Sequence, residues 1–484
     1  MEISYLIKDN TVFEGERTIK VLDQVDVVVA GGGPAGIAAA VSAARQGANV
    51  ILLEGHSFLG GVATSVMMLA LVGSSWSHGF AREIMDRMAE KGGAIKWEPE
   101  KRTNETTPFD AECFKEIALE MCLESGVKVY LYTQACDPIV IDGKVCGVIT
   151  ESKNGRLAVL GNTVIDCTGD ADLAFRAGAP CMKGRESDQV MRPFSLLFRV
   201  GGLDIERIVD YVKNNPLELQ PQHTHDTRHK IGNETIITRI SGFYDLVEKA
   251  KRIGELYDWI HYFRFESLFV ERGIALCNTI RIYYVDGTDA SDLTKGEIIG
   301  RQQMTKLMEF MHKYIPGCEN AYIIDVAPHI GVRETRRIIG EHYLTDDDAY
   351  SDRHFDDSIM TCDGSLVNRD LLKTLDVHMP DPIEGSDQDL LEKYPERVPR
   401  ERHSYQIPYR VLQPKDIDNL LVAGKTISVS HMIDGRTRNM IVCMCMGQVA
   451  GVAAALSAQS AKSPKALPFN KIKEALLEQG YYKF

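Results

Sequence analysis

The stretch Asp26–Gly55, DVVVAGGGPAGIAAAVSAARQGANVILLEG, constrains the fold more than any other part of the chain. Val27-Val28-Val29-Ala30 is a short apolar run of the kind buried on both faces of a parallel sheet. It ends in Gly31-Gly32-Gly33-Pro34-Ala35-Gly36, which satisfies G-x-G-x-x-G. An alanine-rich helix follows, with Pro34 in its first turn, where a missing N–H costs little. Gly47 closes that helix, and Val50–Leu53 forms a second strand that ends at Glu54.

This order is that of a dinucleotide-binding unit. Gly31 permits the tight turn, Gly33 lets the backbone approach a diphosphate, and Gly36 permits close helix–strand contact. The unpaired N–H groups of the helix start face the diphosphate. Glu54 stands about 20 residues beyond the glycines, where an acid accepts hydrogen bonds from a ribose diol and disfavours a 2′-phosphate. NADP is therefore disfavoured, and these residues leave FAD and NAD open.

Later segments point to FAD. Leu59-Gly60-Gly61-Val62-Ala63-Thr64 adds a second glycine pair. Thr163–Cys167 is another buried strand, ending in Thr168-Gly169-Asp170, and near the C-terminus the strand Asn419–Ala423 ends in Gly424. One early nucleotide unit completed by a late strand resembles the two-domain FAD-binding flavoproteins of the glutathione-reductase class, in which an extended FAD takes loops from distant segments.

Two further segments carry a narrower resemblance. APHIGVRETRRIIGEHYLTDDD (Ala327–Asp348) is similar to the G-x-R-E-[ST]-R-R-I-x-G-E-Y-x-L-T segment of a broad family of FAD-dependent oxidoreductases. That family is related to fumarate-reductase-type flavoproteins and to the flavin subunit of heterodisulfide reductase. Tyr405–Leu456 resembles the family's ending: an I-P-Y-R segment, the strand, G-R-x-I-S, a histidine, an arginine and C-M-x-x-G-Q-A-A-G. Between them, Asp376-Val377-His378 carries the D-[IV]-H element. Lys425 departs from the family's usual arginine, Ile441 from proline and Cys445 from a small residue.

The resemblance implies cofactor contacts from Gly31, Gly33, Pro34, Ala35, Gly36, Glu54, Gly60, Gly61, Val62, Ala135, Thr168, Gly169, Asp170, Gly424, Arg438, Gly447 and Gln448. Gly447 is expected to open a helix whose first N–H groups face the flavin, with Ala450, Gly451 and Ala453 packing on the first helix. Cys443-Met444-Cys445 then reads as the floor under the flavin, with a strained disulfide as the alternative. The catalytic candidates are His431, His378 (oriented by Asp376), Arg333 and Arg438. Arg333, Glu334, Arg336 and Arg337 are expected at a helix start, where ion pairing between domains competes with a role at the flavin. No metal site is expected; His223, His225 and His229 in HTHDTRH read as a polar loop.

The 484 residues favour two lobes. The expected architecture is α/β: a discontinuous Rossmann-like FAD-binding domain (1–75, 110–185 and 400–484), with a parallel sheet and a β-meander. A mixed α/β substrate domain (76–109 and 186–399) covers it. The meander carries an Asp142-Gly143 and an Asn154-Gly155 turn, and Phe263–Phe269 alternates as a strand of the second lobe. Met379–Ser404, acidic and proline-bearing, reads as an exposed returning loop.

Against 68 acidic residues stand 55 basic ones, a net charge of −13, which argues against a general nucleic-acid surface. The start lacks a signal-peptide pattern, no run of about 20 uninterrupted apolar residues reads as a span, and the eleven scattered cysteines lack C-x-x-C. A cytoplasmic location with reduced thiols follows as the expectation. The expected activity is hydride transfer between a small polar metabolite, a sugar- or hydroxy-acid-like alcohol first, and flavin N5. Reduction of an activated C=C bond, and an electron-relay or RNA-modifying component acting with a partner, are the alternatives. A separate electron acceptor (oxygen, quinone or protein) and a homo-oligomer complete the expected partners.

Overall fold

A computed structural model describes residues 5–8, 10–73, 77–96, 106–219, 228–364, 403–482 and 484. Val27, Val28, Val29 and Ala30 are fully buried, as expected of a strand covered on both faces. They belong to Lys20–Ala30, which pairs in parallel with Val50–Leu53 on one side and Gly155–Asp166 on the other. The full order is Lys128–Tyr130, Val50–Leu53, Lys20–Ala30, Gly155–Asp166, Lys144–Ser152, Gln134–Ile141. The first half of Gly155–Asp166 pairs antiparallel with Lys144–Ser152, and its second half pairs in parallel with Leu420–Val422. One strand thus joins the meander, the nucleotide unit and the far end of the chain.

Both expected turns lie in the meander. Asp142 and Gly143 both take positive φ, 48° and 74°, the backbone of a tight hairpin matched to strand twist.

The helices Pro34–Arg45 and Met440–Ser460 pack against each other, and both lie on this sheet. A Cβ on Gly447 would stand 2.1 Å from the Ala35 carbonyl oxygen, and one on Gly451 would stand 2.2 Å from that of Ala39. Glycines one turn apart therefore let the two helix backbones touch. Met440–Ser460 is also long and apolar enough to cross a membrane, but 94% of its apolar window is buried inside the protein. It is a core helix.

The second lobe is built on a six-stranded sheet: Arg228–Ile231, Glu234–Gly242, Phe263–Phe269, Ile274–Cys277, Phe198–Gly201, Tyr322–Val326. All of its pairs are antiparallel, so the α/β mixing lies in the helices laid on the sheet. Phe263 and Phe265 are fully buried core residues. The helix Ala290–Tyr314 packs on the lobe through Gly300, whose Cα side approaches Leu196 and Ile282.

One boundary differs from expectation. The helix Gly79–Glu90, expected in the second lobe, packs on Met440–Ser460 and Pro34–Arg45 in the nucleotide layer. Its apolar residues Phe80, Ile84, Met85 and Met88 are buried there. His378, Asp376, His223, His225 and 379–402 of the expected loop lie outside the described residues; His229 is on the strand Arg228–Ile231.

Candidate dinucleotide and substrate cleft

The glycine turn is shaped by contacts that no side chain could share. Gly31 has φ +100°, and a Cβ there would stand 2.4 Å from the Cys167 carbonyl oxygen. A Cβ on Gly36 would stand 1.8 Å from Gly31 O, so the helix sits directly on the turn. The second glycine pair closes from above: Gly60 N–H donates to Gly32 O at 2.8 Å. A Cβ on Gly61 would stand 2.9 Å from Gly33 Cα. Two bare backbone loops therefore face each other, leaving a cradle that fits a diphosphate.

Glu54, 8% exposed, closes one end. Its carboxylate accepts the N–H of Gly32 at 2.7 Å and that of His56 at 2.8 Å. Each oxygen keeps acceptor capacity for a ribose hydroxyl. Behind the cradle, the fully buried Asp166 accepts the Thr168 N–H (3.0 Å) and hydroxyl (2.7 Å) and the Ala174 N–H (2.9 Å). Burial pushes its carboxyl up, and those three donors pull it back. They also fix the Thr168-Gly169-Asp170 loop.

These loops border a cleft of about 430 Å³, within the range of small-molecule sites. Gly31, Gly33, Pro34, Ala35, Glu54, Gly61, Val62, Ala135, Thr168, Gly169, Asp170, Gly424 and Arg438 all line it. Gly36 and Gly60 lie behind the lining and shape it through the contacts above. Lys425, the departure from arginine, also lines the cleft and places Nζ 2.9 Å from Asp170 Oδ1.

Two expected cofactor residues are corrected. Gly447 is mid-helix, against Ala35, because the helix begins seven residues earlier, at Met440. Gln448 is turned away from the cleft: Oε1 accepts the Phe80 N–H at 2.8 Å, and Nε2 donates to Gln479 O at 3.4 Å. Met440 and Cys443, in the helix's true first turn, do line the cleft beside Arg438. The helix end that borders the cleft is therefore the one at Met440, not one at Gly447.

None of the eleven cysteines is joined in a disulfide, Cys443 and Cys445 included. Burial pushes the Cys443 thiol up to about 12, so it stays protonated at neutral pH.

Among the catalytic candidates, Arg333 and Arg438 line the cleft. The expected helix at Arg333–Arg337 is absent; Arg336–Ile338 is a strand paired antiparallel with Cys181–Lys183. Strand alternation sends Arg337 inward, fully buried, to donate to Val429 O (2.9 Å), Gly184 O (2.7 Å) and the Glu334 carboxylate. Glu334 also holds His431 Nδ1 at 2.9 Å. His431 is therefore tied into a buried ionic cluster and does not line the cleft.

The lining residues missed in the sequence include His56, His329, Ser195 and Asn278. His56 and His329 lie with ring centroids 4.3 Å apart and their planes tilted by 39°, next to Glu54. Ser195 and Asn278 come from the second lobe. Asn278 follows the strand Ile274–Cys277 directly, which is the one local signal that it sits at a strand end.

Fold and site together define a flavin-type dinucleotide-binding protein of two lobes. The chain belongs to the FAD dependent oxidoreductase family, whose match runs over residues 26–476. Its cofactor is FAD. It is 29% identical over 165 residues to a digeranylgeranylglycerophospholipid reductase from Methanoculleus marisnigri, a match covering 32% of this chain and 41% of that one. Among solved structures it is similar to a geranylgeranyl bacteriochlorophyll reductase-like protein from Thermoplasma acidophilum. That likeness has 14% identity and a TM-score of 0.47, over 95% of this chain and 85% of that one. It is also similar to the L-proline dehydrogenase of P. horikoshii, with 11% identity and a TM-score of 0.41, over 95% and 98%.

Proposed function

We propose that the protein oxidises a small polar metabolite, a sugar- or hydroxy-acid-like alcohol, by hydride transfer to flavin N5. The observation that carries this reading is the presence of Arg333 and Arg438 in the same cleft as the cofactor residues. Arg438 Nε is buried without a hydrogen-bond partner, and no carboxylate pairs with this guanidinium among the described residues. Such a cation has capacity left for a substrate carboxylate or for negative charge developing in the site. The first turn of Met440–Ser460 adds backbone N–H groups of the same electrostatic sign. FAD, when bound, supplies the hydride acceptor; Glu54 and the glycine cradle hold its adenosine and diphosphate.

Reduction of an activated C=C bond is the second reading, supported by the partial match to a reductase of an unsaturated lipid and by the apolar lining residues Val66, Met68, Leu197 and Ile330. Anaerobic titration separates the two. Hydroxy acids and aldoses should bleach the flavin absorbance of the holoprotein within a catalytic timescale. If they leave it oxidised, while an enone reoxidises the dithionite-reduced protein, the alcohol reading is lost. The free thiols support a reducing, cytoplasmic location as part of the same proposal, and the electrons leave to a separate acceptor.

A further inference from the structure

We infer that Asn278, with Ser195 beside the same cleft, is a specificity-determining group that hydrogen-bonds a neutral hydroxyl or carbonyl oxygen of the substrate. The inference deepens the proposed oxidation of a polar metabolite and rests on it for the substrate class.

Asn278 is 4% exposed yet lines the cleft. Its backbone is fixed, because its N–H donates to Arg264 O at 3.1 Å. Its carboxamide is not satisfied in the same way. Oδ1 is buried without a hydrogen-bond partner, and Nδ2 has only the Met68 sulfur, 4.0 Å away. Thioether sulfur is a weak acceptor, so both ends of the amide retain most of their capacity. A buried amide left unpaired is costly, and such a group is normally explained by a ligand or by water.

Ser195 adds a hydroxyl to the same cleft. It is 5% exposed, and its backbone is paired in both directions with Gly331, N–H to O at 3.1 Å and O from N–H at 2.6 Å. Among the described residues none hydrogen-bonds its hydroxyl. A Cβ on Gly331 would stand 2.7 Å from Ser195 Oγ, so the glycine keeps that hydroxyl's surroundings open.

The two groups are chemically distinct from the cations Arg333 and Arg438 that share the lining. A carboxamide offers a donor and an acceptor together, which matches a hydroxyl, itself donor and acceptor. A guanidinium offers donors alone and matches a carboxylate. A polyhydroxy acid satisfies both sets at once; a polyol satisfies only the neutral one.

The test uses FAD-loaded protein, with binding of D-gluconate and sorbitol read as a perturbation of the flavin spectrum. Asn278→Leu should weaken both probes about tenfold, and Ser195→Ala should weaken both several-fold. Arg438→Gln should weaken gluconate and spare sorbitol. Asn278→Asp, nearly isosteric, guards against a folding defect and should penalise gluconate more than sorbitol. The inference is overturned if wild type binds neither probe. It is equally overturned if both Asn278 variants bind them as wild type does, or if those variants lose FAD in place of probe affinity. Wild type that binds the probes with the expected Asn278 dependence but is bleached by no alcohol supports the inference while defeating the oxidation reading.

Discussion

Lys425 and Asp170 meet in the cofactor cleft although 255 positions separate them in the chain, with Nζ 2.9 Å from Oδ1. Asp170 also accepts the Thr335 hydroxyl at 2.6 Å, so three distant segments converge on one carboxylate beside the glycine cradle. The lysine cancels a negative charge where a diphosphate is expected. Lys425→Met should therefore raise the FAD dissociation constant about tenfold, equivalent to ~1.4 kcal/mol, as a charge-assisted contact is lost. FAD fluorescence quenching measures it; an unchanged constant removes Lys425 from cofactor binding.

Glu54→Gln tests the ribose end. The carboxylate accepts two backbone N–H groups with its two oxygens, and a glutamine has only one. One N–H would then face an amide NH2, at a cost of about 1–3 kcal/mol. Both the melting temperature of the FAD-free protein and its FAD affinity should fall, readable by calorimetry and by equilibrium dialysis.

Gly447→Val addresses the helix pair. Its Cβ would overlap the Ala35 carbonyl, which is backbone and cannot rotate away. Overpacking here should cost at least about 1–3 kcal/mol in urea unfolding. A variant as stable as wild type would show that the two helices separate more freely than their contact suggests.

His431→Ala should lower stability more than chemistry. The ring bonds Glu334, which is itself fully buried against Arg337, and it does not line the cleft. The rate of flavin bleaching per bound FAD should stay within about twofold of wild type while the melting temperature drops. A hundredfold loss of rate at normal stability would return His431 to the mechanism.

His329 gives the protein an acid-sensitive element. Burial, then the neighbouring His56, holds His329 below the ordinary imidazole value of 6.5, against the pull of Glu54. The unfolded chain therefore takes up this proton before the folded protein does. Folding loses stability as pH falls below 6.5 and levels off once the folded ring is also protonated. His329→Gln should flatten that part of the melting-temperature profile, and an unaltered slope would place its origin elsewhere.

The glycine turn, Glu54 and the late strand ending at Gly424 were legible because each depends on local sequence: an apolar run, a required glycine, an acid at a strand end. Gly447 and Gln448 were misplaced because nothing inside the run Met440–Ser460 marks where the helix starts. Its first turn, Met440-Ile441-Val442-Cys443, is as apolar as its middle, and the N-cap Asn439 makes no side-chain cap bond. The partner of Gln448 is set by Gly79, at φ +52°, whose bare Cα lets the amide reach Phe80 N–H from 368 positions away. Arg337 was read on a helix because a four-residue charge cluster fits either period; its pairing with Cys181–Lys183 decided for a strand. Asn278 and Ser195 carry no motif, and only the meeting of the lobes brings them to the cleft.

The double pairing of Gly155–Asp166 has a consequence for biosynthesis. During translation its partner Lys20–Ala30 is available early, but Leu420–Val422 emerges only after the entire antiparallel lobe. Until then Val164 and Ile165 present an open sheet edge, and the Gly424 side of the cofactor cleft does not exist. FAD can therefore be captured in full only once Leu420–Gly424 has emerged, and until then the strand presents an open edge of the kind that templates mispairing.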